Sequence, residues 1–438
     1  MNQRPPENAV QRAIRAIAKV EANEIQATVL SFLWVFFVMC AWYILRPVRD
    51  ALSSDWTDAQ LSWLWTSTFV FSAVAVSIYG AVISRVRFKR IVPGVYVFFA
   101  LSFLGFYVAG ATLSGNDILN RVYYVWTSVF GLFHLSVFWT FMSGLYNTRQ
   151  AERLFGVIAV GATAGAIAGP AFVSAFADDI GSLNMLLVSA LLLLTPIPIM
   201  AWLDRLRSTA LGNPDTSGDL LRDNRLGANP FAGFREFVSS PYLLWIGLFI
   251  LLYVCMSTFL YYEIRKPLGD LTQVRRSQIW ANIDLAVNVL AAVTALLATS
   301  RLTTRLGMPR TLALVPAVMV IAWSVVAVSP AALTVFVVQV VRRAGNYAIT
   351  RPGREMLFTL VDSETRYKAK PVIDTVVYRG GDVLTAWFYT GIVSVFSLGL
   401  AGVAVVGGAV AAIWAGVGVY LGRLYDRDRR TQETTMES

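Results

Sequence analysis

Twelve windows of about 20 apolar residues, each almost free of charge inside, recur along this chain, and no other feature restricts its fold more. About 20 helical residues are needed to cross a hydrocarbon core about 30 Å thick. The windows fall at 26–45, 60–83, 91–113, 121–144, 155–177, 184–203, 242–262, 280–300, 311–329, 331–350, 371–396 and 398–421. Continuous apolar runs without period-2 alternation favour helices over a transmembrane barrel. The expected fold class is an all-α membrane protein with twelve transmembrane helices, and its first partner is the lipid bilayer. Composition agrees. Hydrophobic residues are 56% of the 438 and charged residues 15%, against about 25% charged in a soluble domain. The mean hydropathy is +0.58, which excludes a single soluble core and intrinsic disorder. Trp56, Trp126, Trp202 and Trp280 lie near window ends, as interfacial anchors do.

A net charge of +10 in a soluble protein would point to nucleic acid. Its distribution removes that reading. With the N-terminus in the cytoplasm and twelve alternating spans, 27 of the 37 lysines and arginines fall on the inner side, the positive-inside bias. The charge therefore sets orientation: both termini cytoplasmic, in a bacterial inner membrane, with no nucleic-acid partner. The first 25 residues carry Arg12, Arg15, Lys19, Glu21 and Glu24 and no cleavage site follows the first apolar run, so they are not read as a secretory signal. Residues 8–22 read either as a short interfacial helix, with Val10, Ile14 and Ile17 on one face, or as a frayed tail.

The longest polar stretch between spans, 204–241, separates six windows from six. The expected organisation is an N-terminal segment 1–25, a six-helix bundle 26–203, a cytoplasmic linker 204–241, a second bundle 242–422 and a tail 423–438. The halves look related. Windows one and seven start 216 residues apart, and the basic run Arg85-Val86-Arg87-Phe88-Lys89-Arg90 recurs, by position, at Arg301-Leu302-Thr303-Thr304-Arg305. This 6+6 pseudo-symmetric layout, with basic turns after helices 2 and 8, resembles the major facilitator superfamily, whose halves rock about a midplane site. Gly161, Gly165 and Gly169 recur every four residues before Pro170, a pattern that lets two helix backbones approach closely. Cys40 and Cys255 fall inside windows one and seven as small buried residues rather than a disulfide.

Charges inside spans carry the functional reading, because an arginine at a helix centre costs about 2.5–3.5 kcal/mol on insertion scales. Window ten holds Gln339, Arg342, Arg343 and Asn346 at helical spacing. One carboxylate does not neutralise two adjacent cations, so either an anionic ligand binds there or the pair ties helices together. Window eleven holds Asp374, Arg379 and Asp382; Arg379 and Asp382 are one turn apart and suit a mutual pair. Window one ends in Trp42, Tyr43, Arg46, Arg49 and Asp50. Past Pro47, positions 42, 46 and 49 share a helix face, where guanidinium groups grip an anion and aromatic rings contact its body. Its counterpart at the end of window seven carries Glu263, Arg265 and Lys266. Asp284 in window eight is the best lone intramembrane acid. With Asp374, Asp382 and Glu263 it is a candidate for coupling or charge balance. Arg85, Arg301, Lys368 and Lys370 are candidates for a cytoplasmic gate. His134, the single histidine, reads more readily as a core residue than as a proton relay.

The chain has no G-x-x-x-x-G-K-[ST] loop, no G-x-S-x-G elbow, no H-E-x-x-H helix and no C-x-x-C pair. Neither an enzyme, a metal site nor a bound cofactor is expected.

Tyr43-Ile44-Leu45-Arg46-Pro47-Val48-Arg49-Asp50-Ala51-Leu52 resembles the helix 1 motif of the ATP/ADP translocase family of nucleotide transporters. Gln150-Ala151-Glu152-Arg153-Leu154-Phe155 with Gly161-Ala162 is similar to its helix 4–5 turn. Pro352, Glu355-Met356, Asp362, Lys368-Ala369-Lys370 and Asp374 resemble its stretch between helices 10 and 11. The resemblance implies nucleotide exchange through a charged cavity, with a basic helix 1 residue at Arg49 and basic residues before helix 11 at Lys368 and Lys370. The chain departs from it at Gly144 and Tyr261, where acids are implied, and at Asp382, where a base is.

The reading is a monomeric secondary active transporter that moves an organic anion, a nucleotide or related phosphate compound, by alternating access. Trp42, Tyr43, Arg46, Arg49, Gln339, Arg342, Arg343, Asn346 and Arg379 would contact it. Two alternatives stand beside it: a proton-coupled transporter of an unrelated solute, and a non-transporting scaffold or sensor.

Overall fold

Each apolar window is helical over nearly all of its described residues in the computed structural model, which describes residues 20–83, 88–113, 115–213, 232–297, 299–362, 365, 369–370 and 372–437. In chain order the helices are α1 (Ile25–Leu52), α2 (Asp58–Ile83), α3 (Phe88–Thr112), α4 (Asp117–Leu145) and α5 (Thr148–Ile180). Next come α6 (Ser182–Thr209), α7 (Pro241–Arg265), α8 (Gln273–Leu297) and α9 (Thr299–Val328). The last three are α10 (Ala332–Gly345), α11 (Tyr378–Phe396) and α12 (Leu400–Glu437). No strand occurs among the described residues.

Ten of these helices, α1 to α9 and α12, are long and apolar enough to cross a membrane. The remaining two, α10 with the buried Arg342 and Arg343 and α11 with the partly exposed Arg379 and Asp382, are both lengthened by a π turn. The 14 residues of α10 continue through Asn346–Thr350 into a helix at Arg351–Leu357. The 19 residues of α11 follow directly on Ile373–Val377. A π turn holds one residue more than an α turn and recurs at functional sites.

Several boundaries differ from the sequence reading. Helix α1 passes through Pro47 to Leu52, because a proline near a helix end forfeits only one backbone bond. This places Trp42, Arg46 and Arg49 on one helix. Helix α6 reaches Thr209. At the other end α12 runs on to Glu437, through a stretch with neither glycine nor proline after Gly422. Of the segment 8–22 only Val20 to Ala22 are described, and these are not helical. Within α9, Gly307 has φ 73°, a left-handed value that only glycine adopts readily.

The chain forms two compact units. The first contains residues 1–50, 71–226 and 273–282, and the second 51–70, 227–272 and 283–438. Helices α2 and α8 are thus each divided. The first half of α2 packs in the second unit, where Ser62 Oγ lies 2.8 Å from Thr390 Oγ1 and Trp387 Nε1 donates to Thr66 Oγ1 at 3.1 Å. The first half of α8 packs in the first unit, where Gln278 Nε2 donates to Asp178 at 2.7 Å and Ser174 Oγ to Asn282 at 2.6 Å. The 216-residue offset maps Ser62 onto Gln278, Thr66 onto Asn282 and Ser174 onto Thr390. The offset read in the sequence thus relates some of the polar residues bonded to the two divided helices, though not the same pairs.

In the first unit the glycine stripe is a helix contact. A Cβ on Gly161 would lie 2.6 Å from the Phe32 carbonyl oxygen of α1, and one on Gly169 would lie 2.7 Å from that of Cys40. A Cβ on Gly165 would collide with the Phe36 carbonyl oxygen. The four-residue spacing thus matches three successive turns of α1, and close packing of this kind is what holds helices together in lipid. Gly165→Leu is expected to abolish folded protein, since overpacking costs about 1–3 kcal/mol or more and the obstacle here is backbone. Gly156→Leu, on the same helix with nothing within 4 Å, is expected to accumulate normally. Monodisperse yield in detergent measures both.

Candidate functional site

In the first unit α1 and α4 bring together the aromatic and cationic residues expected at the end of the first span. Gly131 makes the contact: a Cβ there would lie 2.6 Å from the Trp42 ring, so only a bare backbone lets the indole lie on α4. Trp42 stacks on His134, with centroids 4.9 Å apart and planes 20° apart. The Arg49 guanidinium lies 5.8 Å from the Trp42 centroid and 5.4 Å from that of Tyr124. It donates to Asp50 Oδ1 through Nε at 2.9 Å and Nη2 at 2.6 Å, and to Ser128 Oγ at 3.2 Å. Arg46 Nε is 3.5 Å from the other Asp50 oxygen. Asp50 is buried, accepts from Arg49 and is ion-paired with Arg46, which balances part of the charge of the two cations. Tyr43 is buried, its Cβ against Gly169. It belongs to the α1–α5 contact, and Arg46 lies 5.9 Å over its ring.

At the opposite end of α1, Arg153 of α5 forks onto Glu24, at 2.7 Å and 3.1 Å. Asn147 and Gln150 form a capping box at the start of α5, and Asn213 donates to Gln150 Oε1 at 2.6 Å. The turn read in sequence as Gln150 to Phe155 is therefore the tie between α1, α5 and the end of α6.

The second unit sorts the charges of α10. Adjacent residues on a helix point about 100° apart, and here the two arginines meet different neighbours. Arg343 is ion-paired with Asp284 of α8, both fully buried. Arg342 is 1% exposed and, among the described residues, is ion-paired with no carboxylate. Its Nε and Nη2 donate to the neutral Gln339 Oε1 at 3.2 and 3.0 Å. Its guanidinium carbon lies 5.3 Å from the centre of the Tyr253 ring of α7. Its Nη1 is buried without a hydrogen-bond partner among the described residues. A buried charge without a carboxylate partner is costly. Asn346 opens the π turn one helical turn further on. Tyr253 was not singled out from sequence; the signal available was a lone phenol inside an aliphatic run of α7.

The other expected acids have protein partners. Asp382 is 3.7 Å from Arg379 one turn away, the mutual pair that the spacing suits. Glu263 at the end of α7 accepts from Lys266 Nζ at 2.9 Å and from the Tyr389 hydroxyl, to which Lys266 also donates at 2.7 Å. Arg265, at the position 216 residues after Arg49, is ion-paired with Asp58, donates to the Ser53 and Trp56 carbonyls, and lies 5.2 Å over Tyr262. The Tyr262 hydroxyl lies 2.9 Å from Ser62 Oγ. These bonds tie α7 and α11 to the first half of α2.

Of the gate candidates, Arg85 and Lys368 lie outside the described residues, and so does the side chain of Arg301. Lys370 is ion-paired with Glu355, which also accepts from Arg354 at 3.0 Å; Arg354 is 3.5 Å from Asp374. Burial alone raises the Glu355 carboxyl, but the bonds from Lys370 and Arg354 outweigh it and hold the group below the usual carboxylate value. A lowered folded-state pKa adds stability above the unfolded-state value, and this is lost as pH falls through the folded-state value. Glu355→Gln is expected to flatten the acid limb of melting temperature against pH. The effect stays within about 1 kcal/mol, because Glu355 is partly exposed. Among the described residues no group of three or more His, Cys, Asp or Glu side chains is placed to hold a metal ion.

A family model described as Major Facilitator Superfamily matches residues 31–353. A solved bacterial homologue of the iron transporter ferroportin, in an inward-facing state, is similar at 12% identity with a TM-score of 0.63, covering 92% of this chain and 100% of its own. The nucleoside transporter NupG, as a point mutant, is similar at 15% identity with a TM-score of 0.58, over 93% and 99% of the two chains. A bacterial homologue of the human lysosomal transporter Spinster, inward-facing and unoccupied, is similar at 13% identity with a TM-score of 0.57, over 93% and 99%. At these identities the likeness is one of fold. No curated protein matches significantly.

Proposed function

The chain belongs to the major facilitator superfamily, and from that premise we propose that it is a secondary active transporter of an organic anion, working by alternating access. One observation carries the substrate charge: Arg342 is a fully buried guanidinium neutralised by no carboxylate among the described residues. A membrane scaffold has no use for such a group. A transporter of cations or neutral solutes would gain by pairing it, as the chain pairs Arg343, Arg265 and Lys266.

In this reading Arg342, Gln339 and Tyr253 receive the anionic group. Asp284 keeps Arg343 in place and balances its charge. In the first unit, the α1 cluster of Trp42, Arg46 and Arg49 is a separate candidate for contact with an anionic solute. Glu355, Lys370, Arg354 and Asp374 close the inner end of the second half. The six-helix halves are 26–203 and 242–422 joined by 204–241, with both termini cytoplasmic in a bacterial inner membrane and the monomer as the working unit. The likeness of the stretches around Arg49, Gln150 and Glu355 to ATP/ADP translocases supports common ancestry with anion exchangers.

Flux in proteoliposomes tests the function. Purified protein is expected to exchange labelled organic anions across the membrane. Flux that follows a pH gradient, ignores anions and is unchanged in Arg342→Gln would overturn the reading in favour of a proton-coupled carrier. No flux of any solute would favour a scaffold.

A further inference from the structure

We propose that the seat at Arg342 takes a singly charged oxyanion of the carboxylate class and rejects polyphosphates. This deepens the anion-transport reading and rests on it.

The first argument is a charge count. Among the buried ionisable groups of the second unit, Arg343 is matched by Asp284, Arg265 by Asp58, and Glu263 by Lys266. Among the described residues Arg342 is the one left over, so these buried groups offer one elementary positive charge. A ligand group bearing two or more negative charges would enter with the excess unmatched. Charges held in a low-dielectric interior without partners are the costliest arrangement a fold contains. Recruiting Arg343 as a second cation would orphan Asp284, which is buried at 1% exposure.

The second argument is the shape of the fork. A guanidinium presents planar pairs of N–H groups that match the two oxygens of one carboxylate. Gln339 Oε1 occupies the side-on pair, Nε and Nη2. The Tyr253 ring lies over the guanidinium, which leaves approach in the guanidinium plane. The end-on pair contains Nη1, the buried nitrogen without a partner among the described residues. A neutral amide on one edge and an Nη1 with no hydrogen-bond partner among the described residues on the other suit one planar, two-oxygen anion. A triphosphate distributes its charge over several tetrahedral groups and needs several cations.

The test uses full-length protein in detergent, wild type and Arg342→Gln, with thermal shift and calorimetric titration. The probes are lactate, benzoate and indole-3-acetate as monocarboxylates, phthalate and phenylphosphate as dianions, and ADP and ATP as polyphosphates. At least one monocarboxylate is expected to stabilise the wild type and to lose about tenfold or more in affinity in Arg342→Gln. The dianions and nucleotides are expected to show no Arg342-dependent shift. A dianion or nucleotide that binds through Arg342 as tightly as any monocarboxylate overturns the charge class and leaves the anion reading standing. No Arg342-dependent shift with any probe, in a variant that is folded and monodisperse, overturns both.

Discussion

Arg342→Gln is expected to abolish anion transport while raising the melting temperature of the ligand-free protein. Losing a hydrogen-bonded charge partner removes about 1.5–3 kcal/mol of binding, or roughly 10- to 150-fold in affinity. The opposite sign of the stability change comes from the same side chain. In the ligand-free protein Arg342 is a buried cation whose contacts among the described residues are an amide oxygen and a tyrosine ring, so its desolvation is poorly repaid. Glutamine keeps the length for a polar contact to Gln339 and removes the charge. Function is then lost as stability is gained, the trade that marks a ligand site rather than a structural one. Flux in proteoliposomes and melting in detergent read the two halves of the expectation. A variant that both melts lower and still transports would show that Arg342 is a brace.

Asp284→Asn is expected to do the reverse. It removes the carboxylate that faces Arg343 in an environment where both side chains are nearly inaccessible, and breaking one member of a buried pair costs about 3–5 kcal/mol. The single variant should fall sharply in abundance and melting temperature. Adding Arg343→Gln to it removes the orphaned cation, and the double variant is expected to recover most of the lost stability. Recovery of that kind is the outcome of a pairwise coupling. A double variant no more stable than Asp284→Asn alone would show that the two residues are held by different partners. If Arg343 serves only to position α8 against α10, the recovered protein retains anion binding through Arg342, which titration with a monocarboxylate measures.

Much of this was legible in the sequence for simple physical reasons. A helix in lipid satisfies its own backbone and must present about 20 apolar residues to hydrocarbon, so the windows that became α1 to α9 and α12 read directly. Gly161, Gly165 and Gly169 read as a close helix contact because small residues at four-residue spacing have little other use on an apolar face. Arg379 and Asp382 read as a pair because an i, i+3 separation is short enough to decide the partner locally.

Other features needed the tertiary structure. Nothing local distinguishes Arg342 from Arg343. Which of them meets Asp284 depends on how α10 is rotated against α7 and α8, and a rotation of one residue would exchange their roles. Tyr253 lies 89 residues before Arg342 in the chain, and only packing brings its ring under the guanidinium. The π turns at Asn346–Thr350 and Ile373–Val377 leave no mark in hydrophobic periodicity. The division of α2 and α8 is likewise invisible, since an unbroken apolar helix gives no sign that its two halves pack in different units.

The sequence alone determined an all-helical membrane protein, the apolar windows that became its long helices and the short list of charges that lipid does not tolerate unaided, because these follow from the solvent and from local spacing. The tertiary structure decided which of those charges are answered by a charged side chain and which one, Arg342, has no carboxylate partner among the described residues. That choice is made by contacts between residues far apart in the chain, whose energies exist only once the helices have packed.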